Sequence, residues 1–310
     1  MKINNLAAKA SLLFIILLPV AFSNQPANAQ ESDTLLYENF ESGVLPDGWE
    51  NEYVDGSIKW RYEDGGYTSN PDVEGSGKPP YAYEGYYNAL FQFQSFSGEK
   101  TKLVTPSMDL EYKVKPELTF WHAQDERKTF DAFRNDELRV YYKSSETAAW
   151  TLLEEYTSVV SDWEKRSILL PDSSLSSNYY IAFEGKTNNG FGVCIDEVTV
   201  EETGVSAKYV ENIDYHQASK GFLATESDNN PILRLDIQVK GNDGTINLDS
   251  LAVTSLNTDD SDLKQNGVKL WASNDTVFNN SARIAAGINF NNDKAVFKDI
   301  NYEIPRGLSS

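Results

Sequence analysis

The sequence is poor in the side chains that many small exported domains and most hydrolases rely on. It has one cysteine, Cys194, so no disulfide can form within the chain. Its stability must come from hydrophobic cores, with bound metal ions as the remaining kind of cross-link. Only two histidines are present, His122 and His216. That leaves little material for a nucleophile held within reach of a base. His122 shares a strand face with Leu118 and Phe120, as a packed core histidine does, and His216 falls in a connecting strand or loop. Cys194, between Val193 and Ile195 and pointing the other way, reads as a small buried side chain. Positive charge is also scarce: 27 Lys and Arg stand against 47 Asp and Glu, for a net charge of −20. Such a chain disfavours polyanionic partners, and it has no basic aromatic patch for nucleic acid.

Long apolar runs are missing after the N-terminus. Met1 to Ala29 carries Lys2 and Lys9, an apolar stretch from Leu12 to Phe22, and then Ala27-Asn28-Ala29, a small-x-small cleavage signal. This pattern predicts a secretory signal peptide over 1–29. The apolar stretch is shorter than the roughly 20 residues that cross a bilayer as a helix, and no later segment approaches that length. The chain is therefore expected to be secreted or held at the cell surface, without a transmembrane segment. Loss of the two leader lysines takes the net charge from −20 to −22.

Helical periodicity is almost absent as well, and strand signals dominate. Glu117 to Ala123, Glu137 to Lys143, Tyr179 to Gly185 and Ile232 to Gly241 alternate apolar and polar residues or are rich in β-branched and aromatic types. Turn punctuation recurs at Pro46-Asp47-Gly48, Asp64-Gly65-Gly66, Asn189-Gly190 and Asp243-Gly244. The expected fold class is all-β. Five of the six tryptophans precede Gly204, after which aromatics thin out, so two β domains are expected, 33–203 and 204–310. In the second, Leu233, Leu235, Ile237 and Val239 share one face, and Thr245 to Leu256 and Gly267 to Ser273 are the expected partner strands.

Two acidic clusters stand at opposite ends of the first domain. Asn39 and Glu41 share a strand face in Tyr37 to Glu50, before a Gly-, Pro- and Asp-Gly-containing turn that delivers Trp49 to the core. Near Gly204, Val193 and Ile195 keep a period of two, and so do Val198 and Val200, but the pairs are out of phase across Asp196-Glu197. A phase slip of this kind marks a β-bulge. If the first and last strands are neighbours, Glu41 and Asp196 converge, and calcium suits two such carboxylates. Spacing alone favours two solvated surface acids in unrelated turns.

A resemblance shifts that balance. The tracts Tyr37 to Trp49, Trp60, Tyr83 to Phe91, Thr101 to Leu110, Asn135 to Ser145, Tyr179 to Gly185 and Cys194 to Val200 follow one another in an order that resembles the cleaved-adhesin and MAM-like jelly-roll domains of exported bacterial proteins. The likeness implies a jelly-roll β-sandwich with a structural calcium site. By motif its ligands would be Glu41 and Asp196, with Asn39 and Asp136 as further candidates. Asn39 stands where the family often has Asp, and Glu197 follows Asp196 where it often has a second Asp; both changes weaken such a site.

The region Asn230 to Phe278 resembles the β-domain that precedes BNR repeats in some sialidases. It implies an accessory, smaller β-sandwich, and a further strand is expected after Gly307-Leu308-Ser309-Ser310, so the domain reads as incomplete. Catalysis finds little support. Tyr302 to Gly307 places Glu303 where the sialidase Arg-Ile-Pro motif has an arginine for the substrate carboxylate, and no Asp box is present. Glycosidases need only two carboxylates, and with 47 acids pairs abound, but none has a motif. Asp259, Asp260 and Asp262 lack the glycine and terminal Glu of an EF-hand loop.

The remaining signal is aromatic. Trp60 to Tyr87 sets Tyr62, Tyr67, Tyr81, Tyr83, Tyr86 and Tyr87 among Gly, Pro and Asp. This composition suits either rings stacked on sugars or a protein partner, or rings that cover the edge of the sandwich. The expected function is a non-enzymatic, calcium-stabilised adhesin-like binding protein. Its ligand would be a glycan, a glycoprotein or a host extracellular protein, met by Tyr62, Tyr67, Tyr81 and Tyr83. The other expectation is an accessory N-terminal region of a larger secreted sialidase or protease.

Overall fold

The computed structural model describes residues 14–17, 20–25, 33–66, 81–92, 98–128, 132–217, 230–256, 260, 263–273, 278 and 281–310. The chain divides into two compact units. One spans Glu31–Gly204; the other joins Val205–Ser310 to Met1–Gln30. Both are built from strands, and among the described residues no helix is long and apolar enough to cross a membrane.

The strands are numbered along the chain, and β1 (Phe14–Leu17) and β2 (Ala21–Gln25) belong to the second unit. The first unit contains β3 (Asp33–Glu38), β4 (Glu50–Asp55), β5 (Arg61–Glu63), β6 (Asn88–Phe91), β7 (Lys100–Val104), β8 (Pro116–Gln124), β9 (Arg127–Lys128) and β10 (Phe133–Arg134). It continues with β11 (Glu137–Lys143), β12 (Thr151–Tyr156), β13 (Val160–Leu169), β14 (Tyr180–Lys186) and β15 (Val193–Glu202). Six of these form a sheet ordered β13-β8-β15-β6-β5, with β3 beside the second half of β15. Five form a second sheet, β12-β11-β14-β7-β4.

Alternation explains why the two sheets face one another. Leu118 and Phe120 of β8 with Ile195 and Val200 of β15 turn inward from one sheet, and Leu138, Val140, Ile181, Phe183 and Leu103 from the other. The Phe120 and Phe183 rings meet edge-on across the interface at 5.1 Å. The strand entering the unit and the strand leaving it are neighbours, with Glu38 opposite Val198. On the other side of β15 the pairing steps from Asp196 opposite Trp121 to Thr199 opposite Thr119, three residues against two. Glu197 takes a positive φ of 49° inside this bulge.

The non-core face of the five-stranded sheet carries a row of alternating charge. Glu52, Lys102, Glu184, Arg139 and Glu155 occupy successive register positions across β4, β7, β14, β11 and β12. Lys102 and Glu184 are ion-paired with side chains 7% and 5% exposed. The Tyr141 ring lies beneath the Lys102 ammonium at 4.7 Å, and Trp150 Nε1–H donates to Glu52 at 2.9 Å. Arg139 pairs with Glu155 in the row and with Glu137 beside it, and the buried Lys102–Glu184 pair meets the requirement that buried ions be paired.

In the second unit β16 (Tyr209–Gln217), β17 (Leu233–Lys240) and β23 (Gly307–Ser309) make one sheet. Another is centred on β18 (Thr245–Leu256), flanked on one edge by β21 (Lys294–Phe297) and β22 (Tyr302–Ile304). β19 (Trp271–Ala272) pairs with β20 (Ala282–Arg283). The sequence pattern had set β18 and Gly267 to Ser273 beside β17; instead β17 pairs with β16 and β23. The turn between β17 and β18, with Gly241 and Gly244 both at positive φ, carries the chain from one sheet to the other. The two strands share a core, Ile237 and Val239 against Ile246 and Leu248, without sharing hydrogen bonds. The other edge of β18 is covered by β1 and β2, the segment read from sequence as a cleavable leader.

Candidate functional site

Of the site residues expected from the sequence, Glu41, Asp196, Tyr81 and Tyr83 gather around the loop 81–87. The site starts from β3. Glu38 accepts the Phe40 N–H at 2.7 Å and Asn39 Oδ1 accepts the Glu41 N–H at 3.3 Å, so the chain leaves the strand through side-chain-stabilised turns. Phe40 has a φ of 59° and is fully buried, with its ring against Trp49 and Tyr62, each at 5.7 Å. With Phe40 seated in the core, the Glu41 side chain reaches the loop. Its Oε1 accepts the N–H groups of Tyr86 and Tyr87, both at 2.8 Å. Gly85, at a φ of 72°, lies directly against this carboxylate, where a Cβ would collide with it.

Asp196 holds the other half of the same loop from beneath. Its Oδ2 accepts the N–H groups of Tyr83 at 3.0 Å and Glu84 at 3.2 Å, while Oδ1 accepts that of Glu197 at 2.8 Å. The residue is fully buried. Burial pushes its pKa up to about 7, although the amides of Glu84, Glu197 and Tyr83 pull it down. The β-bulge is what places an acid here, between two apolar stretches of β15 that both face the core.

The clasp presents aromatic rings to solvent. Tyr83 stacks on Trp121 of β8 with centroids 3.7 Å apart and planes 15° apart, and Trp163 of β13 stands edge-on to it at 6.2 Å. Trp163 Nε1–H donates to the Tyr81 carbonyl at 3.1 Å, and Asp64 accepts the Ala82 N–H at 3.0 Å. Tyr81 and Tyr86 are 69% and 76% exposed, and Tyr83 and Tyr87 are partly covered at 38% and 40%. Tyr37 is exposed nearby in sequence to Glu41, with its hydroxyl on the Glu197 carboxylate at 2.9 Å.

The sequence-derived residues divide accordingly. Glu41 and Asp196 meet at the loop, Asn39 bonds the Glu41 amide without reaching the loop itself, and Tyr81 and Tyr83 lie on it. Tyr62 packs inward against Phe40, and burial raises the pKa of its hydroxyl. It serves the core, not the exposed surface. Tyr67 lies outside the described residues. Asp136, fully buried, serves a different turn: its Oδ1 accepts the N–H groups of Asn188 at 2.6 Å and Gly190 at 3.0 Å. Trp121 and Trp163 were not anticipated. The signal for Trp121 was present, because it is out of phase with Phe120 and His122 and must face away from the core. Trp163, flanked by Asp162 and Glu164, gave none.

The oxygens at the loop have the hard character calcium prefers. They fall short in number: among the described residues, no group of three or more His, Cys, Asp or Glu side chains converges as a metal site. The amides of Tyr83, Glu84, Tyr86 and Tyr87 already supply partners for both carboxylates.

The histidines and the cysteine form no nucleophile–base pair with each other. His122 is buried beside Phe120 and Tyr156, with Nε2 3.0 Å from Gln124 Oε1. Cys194, on the neighbouring strand, faces the opposite side, with Leu90 and Ala123. His216, on β16, contacts Asp236 at 3.1 Å.

No family model matches the sequence, and no curated protein matches it. Solved structures do. The K3 cleaved adhesin domain of Lys-gingipain from Porphyromonas gingivalis is 21% identical, with a TM-score of 0.39 over 55% of this chain and 99% of that one. The CBM22-1 xylan-binding domain of Paenibacillus barcinonensis Xyn10C is 13% identical, with a TM-score of 0.36 over 58% and 100%. TmCBM61, solved with β-1,4-galactotriose, is 14% identical, with a TM-score of 0.34 over 52% and 92%.

Proposed function

We propose that the first unit is a non-catalytic module that binds glycans or glycoproteins through the loop 81–87, on a chain exported by cleavage after Ala29. One observation carries this reading: rings that would ordinarily be buried are held outward on a rigidly fastened loop. Tyr81 and Tyr86 are exposed while the backbone between them is fixed by two carboxylates and underlain by Trp121 and Trp163. Pre-ordered aromatic faces can meet the C–H faces of sugar rings without the entropy cost of ordering a loop on binding.

The calcium ion expected from the resemblance is carried forward as a proposal about this loop. Beside Glu41 and Asp196 an ion would draw its remaining oxygens from main-chain carbonyls and water, and it would tighten the clasp.

The reading is tested on a panel of immobilised glycans and glycoproteins. Retention of the wild-type chain on members of the panel, lost when Tyr81 and Tyr86 are both replaced by Ala, is the expected result. Equal retention of the double variant would remove the loop from the account.

A further inference from the structure

We propose that the processed chain pairs with a second copy of itself through the edge of β18 that the leader occupies in this structure. The proposal rests on the export reading, since it needs cleavage after Ala29.

The leader covers this edge from end to end. Phe14 to Leu17 pair with Leu256 to Val253, and Ala21 to Gln25 pair with Ser250 to Thr245. The opposite edge of β18 is taken by β21 and β22. Both leader strands lie before the Ala27-Asn28-Ala29 signal, so processing bares one side of a 12-residue strand. It also removes Val20 and Phe22, which pack on the small core of Ile237, Val239, Ile246, Leu248 and Ile304, and the Ser23 hydroxyl that donates to Asp249.

A bare strand of this length is a template for another strand unless its sequence discourages pairing. β18 has little that does so: Thr245 to Leu256 contains no proline and no lysine, and its one charged residue, Asp249, sits at its one irregularity on this edge, between Leu248 and Ser250, which did not prevent pairing on either side of it. The leader shows that the edge accepts antiparallel strands, one apolar and one mixed.

A second copy fits this edge because it brings the identical unmet edge. Antiparallel pairing about a two-fold axis closes both at once, which a single donated strand from elsewhere does not. Charge permits it locally. In the register that sets Asn247 opposite Thr254 of the other copy, Asp249 faces Ala252, and no like charges are opposed. The net −22 on each processed chain opposes association at long range, so the pairing strengthens as salt is added.

The test uses the full-length gene expressed in an exporting bacterial host. N-terminal sequencing of the product comes first: a start at Gln30 confirms processing, and a start at Met1 overturns the export reading and the bared edge with it. Sedimentation of the processed chain is then expected to show a dimer whose fraction rises with concentration and with salt. Replacing both Asn247 and Thr254 by Lys is expected to give a monomer. Mixing that variant with one carrying Glu at both positions is expected to restore a mixed dimer, which misfolding of either variant could not produce. A synthetic peptide of residues 14–25 should dissociate the wild-type dimer. A processed wild-type chain that stays monomeric in high salt, or a Lys variant that dimerises as the wild type does, overturns the proposal. So does a monomer that captures the 14–25 peptide, since its edge is then open to another kind of strand.

Discussion

Glu41 and Asp196 hold opposite halves of one loop: Glu41 takes the amides of Tyr86 and Tyr87, and Asp196 takes those of Tyr83 and Glu84. The acids come from the first and last strand regions of their unit, and the loop from between them. Fastening the loop therefore also fastens the closure of the sandwich.

Replacing Glu41 by Ala is expected to lower stability by about 2 kcal/mol, the scale of two charge-assisted hydrogen bonds at a partly exposed site. Thermal unfolding with calcium and then with chelator separates the contributions. The wild type is expected to melt lower after chelation, as linkage requires of an ion held by the native state alone, and Glu41→Ala to lose that response. An unchanged melting temperature in the wild type would leave the amide bonds as the whole of the clasp.

Asp196 makes a prediction about pH. Its folded pKa is raised to about 7 from the ordinary carboxylate value of 3.8. Between those values the folded state binds more protons than the unfolded one, so this group's contribution to stability is present at low pH and is lost as pH rises through 7. Urea denaturation from pH 4 to pH 8 is expected to show a downward slope that Asp196→Asn flattens. A variant with the wild-type slope would assign the effect to other groups.

The ion pair on the five-stranded sheet predicts a non-additive pair of substitutions. Lys102→Met leaves Glu184 buried without its cation and is expected to cost about 3–5 kcal/mol. Adding Glu184→Leu should recover much of the loss, because the unpaired charge is removed as well. Denaturation of the single and double variants measures both, and a double variant less stable than Lys102→Met would contradict it.

Much of the frame could be read from the residues. Alternation placed Leu118, Phe120 and His122 inward, and the broken phase around Asp196-Glu197 marked the bulge that Glu197 occupies at positive φ. The fall in aromatic content near Gly204 coincides with the division between the units. The loop contacts were hidden for a physical reason. Acceptors and donors separated by 45 and 113 residues meet only through sheet pairing, and backbone amides leave no trace in a side-chain pattern. Tyr62 and Tyr81 looked alike in a stretch rich in Gly and Tyr, yet one stacks on Phe40 and the other faces solvent. Strand pairing was the other gap. β17 and β18 have the alternation of neighbours, yet β17 pairs with β16 and β23 while β18 pairs with β2, β21 and β22, a choice that alternation does not encode.

The most direct test of the central claim compares glycan affinity across three chains: wild type, Tyr86→Ala on the clasped loop, and Tyr53→Ala on β4, whose ring is also exposed but lies away from that loop. Calorimetric titration with a glycan retained in the panel is expected to show at least a tenfold loss for Tyr86→Ala, about 1.4 kcal/mol, and no change for Tyr53→Ala. Unchanged affinity for Tyr86→Ala, or an equal loss for both variants, would contradict the assignment of binding to this loop.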